Sequence, residues 1–344
     1  MDTQLAHQYN EIIRNELINR REGEPVNEKA INKLLDLFFK FKIESFYKFK
    51  SLRSQYTLKN FRDDIFHFSL VEALNDPREF AYNIDVEKER RERAELISMC
   101  RFIDKPTDEE ISEFVNVQKP NFYNNVKQFT LVHSLTTTYN NAPMWASYAD
   151  EQNGICIEYD AMDILSKYGY NLAPVEYSDS IPSTQYDMDF NEIIKFLHRI
   201  CFTKQSRWSY ENEWRVLAIQ YNNKCNERND IIIPKGVIIG NAVAKHTRMD
   251  ILDICNKKNI LAYELIYDEK SYDFIKKRIN WHKRVSAYSI CLFWQTLLVI
   301  DFWNGLSIDS GYDGFLFSDY IFIFVSPVVS QIGKAVIWEK MKLI

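Results

Sequence analysis

Between Ile43 and Ile279 the apolar pattern switches repeatedly between a period of two and a helical period, with no regular strand–helix–strand repeat. That interspersion favours an α+β fold, a mixed sheet with flanking helices, over a doubly wound parallel sheet. Glycine narrows the choice further. The chain has 9 glycines in 344 residues and no two at G-x-G spacing, which removes the dinucleotide-binding fingerprint and the P-loop. With 46% hydrophobic and 26% charged residues the composition argues against disorder, and 23 Phe, 20 Tyr and 7 Trp supply a sizeable core.

The pattern divides the chain into residues 1–42, 43–280 and 281–344. The first part reads as a helical hairpin. Ile12, Ile13, Leu17 and Ile18 recur at helical spacing, Gly23 and Pro25 interrupt, and Asn27 is placed to cap a second helix reaching about Phe41. Its charged, polar start resembles neither a signal nor a transit peptide. In the central part, strands are expected at Ser45–Lys50, Ile65–Ser69, Gln128–Ser134, Gly154–Tyr159, Trp214–Gln220, Ile231–Ile233 and Leu261–Ile266. Helical turns are expected over Leu58–Asp63 and helices over Asp85–Cys100, Asp108–Val117, Met188–Phe202 and Asp250–Asn256. Gly236–Gly240 reads as a turn around a short apolar run.

The last part changes character. Val285–Ile300 carries no charged residue and Gly314–Gly333 only Asp319. Each apolar region extends to about 19 residues, roughly 28 Å as helix, near the hydrocarbon thickness of a bilayer. Lys276, Lys277, Arg278, Lys283 and Arg284 precede the first, Lys334, Lys340 and Lys342 follow the second, and Asn304–Asp313 holds no Lys or Arg. By the positive-inside rule this is a two-helix transmembrane hairpin with both ends cytoplasmic. The expected place is the inner membrane, with membrane lipid as partner and the central domain in the cytoplasm. The alternative is a cytoplasmic protein with a buried helical hairpin, for which Gln295, Asp301, Asp319 and Pro327 speak, because polar groups in lipid are costly.

A net charge of −5 gives no general pull toward nucleic acid. The six cysteines form no C-x-x-C and read as reduced thiols of an intracellular protein. No metal site is expected: there is no H-E-x-x-H, and His198 with Cys201 three positions on finds no further ligands.

The densest chemistry lies in Lys204–Val216, KQSRWSYENEWRV. Glu211 and Glu213 are two apart, so a strand would put both carboxylates on one face. Close like charges raise one pKa and make a general base, or jointly bind a cation. Trp208 and Tyr210 are candidates to stack on a ligand ring and Arg215 to meet phosphate. The bland alternative is an edge strand whose Glu–Arg pairs satisfy one another. In Met144–Tyr159 (MWASYADEQNGICIEY), Trp145 and Tyr148 share a helical face before a tight turn into a strand. They form either an aromatic wall beside a ligand or core packing. Asn75-Asp76-Pro77 is a turn that can place Asp76 or Glu79 at a cleft.

Taken together, FYKFKS, S-x5-N-D-P-x-E, M-W-x-x-Y-A-D-x-x-x-G-I-C-I-x-Y, K-x-x-x-W-x-Y-E-x-E-W-R and IPKGVIIGN resemble the bacterial domain-of-unknown-function family 2971 over about residues 43–280. That family is similar to the AbiGi abortive phage-resistance proteins. The resemblance implies a prokaryotic defence or toxin-like effector. The E-N-E of Glu211–Glu213 also resembles the E-x-E signature of R-S-E-type ADP-ribosyltransferases, which use NAD as substrate. That resemblance implies Glu213 as catalytic carboxylate and Glu211 as orienter of an unidentified macromolecular acceptor. It also implies Lys48 or Arg53 at the early arginine and Ser134–Thr137 at the S-T-S strand, which is not intact here. The expectation is therefore a membrane-held effector, homo-oligomeric through its hairpin, with ADP-ribosyltransferase or NAD glycohydrolase activity. The alternative is a non-catalytic module that senses a ligand or partner.

Overall fold

The computed structural model describes residues 2–18, 25–84, 107, 109, 126, 130–184, 190–219 and 228–280. The helix expected over 85–100, that over 108–117 apart from Glu109, and the apolar hairpin after 280 lie outside the described residues. Met1–Asn280 forms one compact unit and Trp281–Ile344 a second. Among the described residues no helix is long and apolar enough to cross a membrane.

The first unit is a mixed α/β fold built on a ten-stranded sheet. Its strands are β1 (Ser45–Ser51), β2 (Ile65–Leu70), β3 (Thr130–Thr136), β4 (Gly154–Asp160), β5 (Leu172–Pro174), β6 (Glu213–Ile219), β7 (Arg228–Ile231), β8 (Gly236–Ile239), β9 (Leu261–Tyr267) and β10 (Phe274–Arg278). The order is β7-β2-β3-β1-β4-β8-β9-β10, with β6 against β3 and β5 against β6. Pairing within this sheet is antiparallel except between β8 and β9.

The way β3 is shared positions the site. One edge of β3 pairs over its full length with β6, from Thr136↔Glu213 to Thr130↔Ile219. Two strands divide the other edge. β2 meets it at Leu131 and Val132, and β1 meets it only at Thr136. Between these points the edge at His133–Leu135 has no strand partner, so the sheet parts along a gap between β1 and β2.

The N-terminal residues form α1 (Thr3–Ile12), extended by a π-helical turn at Ile13–Leu17, and α2 (Glu28–Lys40). Asp2 caps the first helix and Asn27 the second, each accepting a backbone N–H. Tyr9, Ile13 and Leu17, four apart, face Leu34 and Phe38 and bury fully against the sheet. The hairpin thus belongs to the same compact unit as the sheet. Its target is Trp214 on β6, which is completely buried among Tyr9, Phe38, Phe41 and Phe46 at ring separations of 5.4, 5.6, 5.1 and 5.4 Å. Because side chains alternate along a strand, a buried Trp214 sends Glu213 and Arg215 to the opposite face.

The remaining helices are α3 (Gln55–Arg62), α4 (Ala142–Tyr148), α5 (Ala161–Tyr168), α6 (Phe190–Cys201) and α7 (Lys245–Lys258). Two expectations are corrected. Gly236–Ile239 is not a turn but the buried strand β8, since four apolar residues between β4 and β9 have sheet on both edges. The strand expected at Ile231–Ile233 is instead β7, Arg228–Ile231, set by its ladder with β2. In the turn before β4, Asp150, Glu151 and Gln152 take positive φ of 52°, 52° and 70°. Glycine is required at 154 because a Cβ there would lie 2.5 Å from the Lys50 carbonyl oxygen.

Candidate functional site

Beside the gap, on the face carrying Glu213, lies a cavity of about 250 Å³. β1 contributes Lys48 and Lys50, the Asn75–Glu79 turn Asp76 and Glu79, β3 Ser134, and α4 Tyr148. Lys204, Trp208, Glu211 and Glu213 line it as well. A 3-10 turn at Ser206–Glu211, closed by Asn212 in the left-handed region, separates the two glutamates. Only Glu213 is in the strand, yet both carboxylates reach the same cavity and the same lysine.

That lysine is the hub. Lys204 Nζ lies 2.7 Å from Glu211, 3.1 Å from Glu213 and 3.1 Å from Glu79. It sits 5.1 Å over the Trp208 ring. Behind it, fully buried Arg215 donates from Nε to Glu213 at 2.8 Å, from Nη2 to Glu79 at 2.9 Å and from Nη1 to the Cys201 carbonyl at 2.7 Å. Glu211 has a further partner: the Tyr148 hydroxyl donates to its Oε1 at 2.6 Å. Thr136 and Tyr177 fix the turn, the first donating to the Glu211 carbonyl at 2.6 Å and the second accepting from the Glu213 N–H at 2.9 Å.

The two carboxyls are driven in opposite directions. Burial and then the charge of Glu213 push Glu211 above its usual range, against Lys204 and the Tyr148 bond. Burial also pushes Glu213 up, but Arg215 and then Lys204 outweigh it and hold it well below that range. Across the cavity, Lys48 donates to the Ser134 carbonyl at 2.6 Å on the open edge of β3. Burial and the neighbouring Lys50 bring its pKa down to about 7, with Glu213 and Glu211 acting against them. The cavity therefore holds an anion that stays ionised, a carboxyl shifted toward neutrality and an amine shifted toward its free-base form. Such displaced groups suit acid–base chemistry.

Of the residues singled out from sequence, Glu211, Glu213, Trp208, Tyr148, Lys48 and Ser134 share this cavity. Arg215 stands behind it as the counter-ion of Glu213. Trp145 is buried against Phe49 and donates to the Tyr139 carbonyl. Tyr210 packs beside the same apolar cluster as Trp145, and Arg53 is exposed and paired with Asp150. The turn that can place Asp76 or Glu79 at a cleft brings both to this cavity, while Lys204 and Lys50 are not among the sequence candidates. The signal for Lys204 was present, since it begins the K-x-x-x-W-x-Y-E-x-E run; nothing local marked it as the partner of three carboxylates. Among the described residues no group of three His, Cys, Asp or Glu is placed to hold a metal ion.

Residues 144–216 match the family described as Protein of unknown function (DUF2971). The DUF2971 segment contains Tyr148, Lys204, Trp208, Glu211, Glu213 and Arg215, so it carries most of the charged network. Lys48, Glu79 and Ser134 lie outside it. No curated protein and no solved structure matches the chain.

Proposed function

We propose that the chain is an effector enzyme that cleaves the N-glycosidic bond of NAD, as an NAD glycohydrolase or ADP-ribosyltransferase. The observation that carries this reading is the opposite displacement of Glu211 and Glu213 about one cavity. Breaking the bond between nicotinamide and C1′ sends the bonding pair to nicotinamide, which leaves neutral, and develops positive charge on the ribose. Glu213, held ionised, stabilises that charge. Water or an acceptor hydroxyl then bonds to C1′ and its proton passes to Glu211, whose raised pKa suits a general base. Trp208 offers a ring face for the nicotinamide. A defence role, and holding at the membrane through residues 281–344, rest on the resemblance to the AbiGi proteins and on the apolar sequence there.

The test is to incubate the purified protein with NAD and measure free nicotinamide. Glu211→Gln should reduce release by about 10²–10⁴-fold, the usual weight of a general base. Glu213→Gln should abolish it. Wild-type protein that releases no nicotinamide, or variants as active as wild type, would remove the catalytic reading.

A second reading is favoured by the occupancy of Glu213, both of whose oxygens are engaged by Arg215 and one also by Lys204. Such a carboxylate can serve as a structural strut in a ligand-sensing module. In that case Glu213→Gln alters stability and leaves ligand binding intact.

A further inference from the structure

The gap between β1 and β2 also opens on the other face of the sheet, the face toward Ile157, Tyr159 and His133. There it leads to a larger cavity of about 660 Å³ beneath α3. Small-molecule sites span about 300–1,000 Å³, so this cavity has room for a ligand of nucleotide size.

The two cavities share Lys48 and Lys50 but differ in charge. The larger adds Lys59, His67 and His133, and none of its described lining residues is Asp or Glu. Lys50 has no hydrogen-bond or ion-pair partner among the described residues, and burial alone draws its pKa down. Lys50 is half-buried, so its ammonium is less well solvated than a surface one, and an anion from outside offsets that cost. His133 supplies a second unmet demand. Its Nδ1 is 2.8 Å from the His67 carbonyl, to which it donates, and its buried Nε2 has no partner. An imidazole whose Nδ1 carries the proton accepts at Nε2. At the rim, Tyr56 is 60% exposed and presents a free ring.

We propose that this cavity binds a nucleoside diphosphate, with its phosphates on Lys50, Lys48 and Lys59. The His133 side chain lines the wall and the base lies on Tyr56, since base–aromatic stacking is tolerant of base identity. The site stands on the lysines and on the absence of lining carboxylates, independently of chemistry at Glu211.

The test is calorimetric titration of the full chain with ADP, inorganic pyrophosphate and adenosine. ADP should bind, pyrophosphate more weakly, and adenosine most weakly. Lys50→Met should weaken ADP by about tenfold or more, the worth of a charge-assisted bond. Lys59→Gln, at an exposed position, should weaken it by less. Glu211→Gln, which removes nicotinamide release under the catalytic reading, should leave ADP binding unchanged, so the two proposals fail separately. No binding of ADP, adenosine binding as tightly as ADP, or pyrophosphate matching ADP overturns the assignment. So does a folded Lys50→Met that binds ADP like wild type; if that variant does not fold, unaltered binding by Lys59→Gln overturns it instead.

Discussion

The Arg215 guanidinium meets Glu79 through a single nitrogen, Nη2, which lies 2.9 Å from both carboxylate oxygens of a residue 136 positions earlier. This pair ties the N-D-P-x-E turn to the middle of β6, and it is buried on both sides. Since Arg215 also holds Glu213, its loss would leave two buried carboxylates short of a cation. Removing one partner of a buried pair costs up to about 3–5 kcal/mol, and here Lys204 still faces both carboxylates at 3.1 Å. Arg215→Leu should therefore lower the unfolding free energy by up to that amount in urea titrations. Arg215→Lys should recover only part of it, since an ammonium cannot reach Glu79, Glu213 and the Cys201 carbonyl together. A Leu variant with the wild-type midpoint would show that the network does not hold the fold.

The acid limb of stability should pass through Glu213. Its folded pKa is depressed by Arg215 and Lys204 in excess of the burial that raises it. A depressed carboxyl contributes stability that is fully present above its unfolded pKa and lost as pH falls toward its folded pKa. The stability difference between wild type and Glu213→Gln should thus be largest near neutrality and shrink below pH about 4. Glu211 has the opposite sign: its raised pKa costs stability at neutral pH, and the cost is relieved as pH falls through the folded value. Urea titrations at neutral and acidic pH check both. A difference for Glu213→Gln that stays constant down to pH about 3 would mean that this carboxylate is not held ionised by the fold.

Much of this site was legible in the sequence, and what was not has a common cause. The run E-W-R already implies Glu213 and Arg215 on one face with Trp214 on the other, and the aromatic hairpin at Tyr9 and Phe38 explains which face is core. The cap at Asn27 and the strand spans around β1, β3, β4 and β6 follow from local pattern in the same way. The gap in the sheet does not. It exists because β1 touches β3 at one residue pair, Tyr47↔Thr136, a matter of pairing between segments far apart in the chain. The role of Lys204 was hidden similarly, because its partner Glu79 comes from a distant turn. β8 was misread because Val237, Ile238 and Ile239, buried on both faces, give no alternation to recognise.

Lys48 should behave as an amine out of its usual range. Burial and Lys50 bring its pKa down to about 7. A lysine lowered in the folded state takes up fewer protons than in the unfolded chain, so its penalty is full below the folded pKa and fades as pH rises toward the unfolded value of about 10.4. Lys48→Met should be stabilised relative to wild type at pH about 6, with the advantage declining as pH is raised toward about 10. In the wild type, an amine-directed reagent at pH about 8 should modify Lys48 ahead of ordinary lysines, which remain protonated there. Mass spectrometry of the labelled protein gives the answer, and a Lys48 that reacts no faster than exposed Lys29 would place its pKa in the normal range.

The sequence after Asn280 makes a claim that cell fractionation can decide. Val285–Ile300 without a charge and Gly314–Gly333 with only Asp319 are each long enough to approach a bilayer's hydrocarbon thickness as helix. Basic residues stand before the first and after the second and are absent from Asn304–Asp313, so a membrane hairpin here would, by the positive-inside rule, have both ends on the cytoplasmic side. Gln295, Asp301 and Asp319 would then pair across helices or between copies of the chain, since lipid does not solvate them. Truncation after Asn280 is the informative cut. It keeps β10, whose ladder with β9 runs from Phe274 to Arg278, and the bond from the Ile279 N–H to the Ala262 carbonyl. Full-length protein should sediment with membranes and need detergent for release, and the truncated chain should remain in solution with the sheet's melting transition intact. Full-length protein recovered without detergent as a compact monomer would assign the apolar segments to a buried core and end the membrane reading.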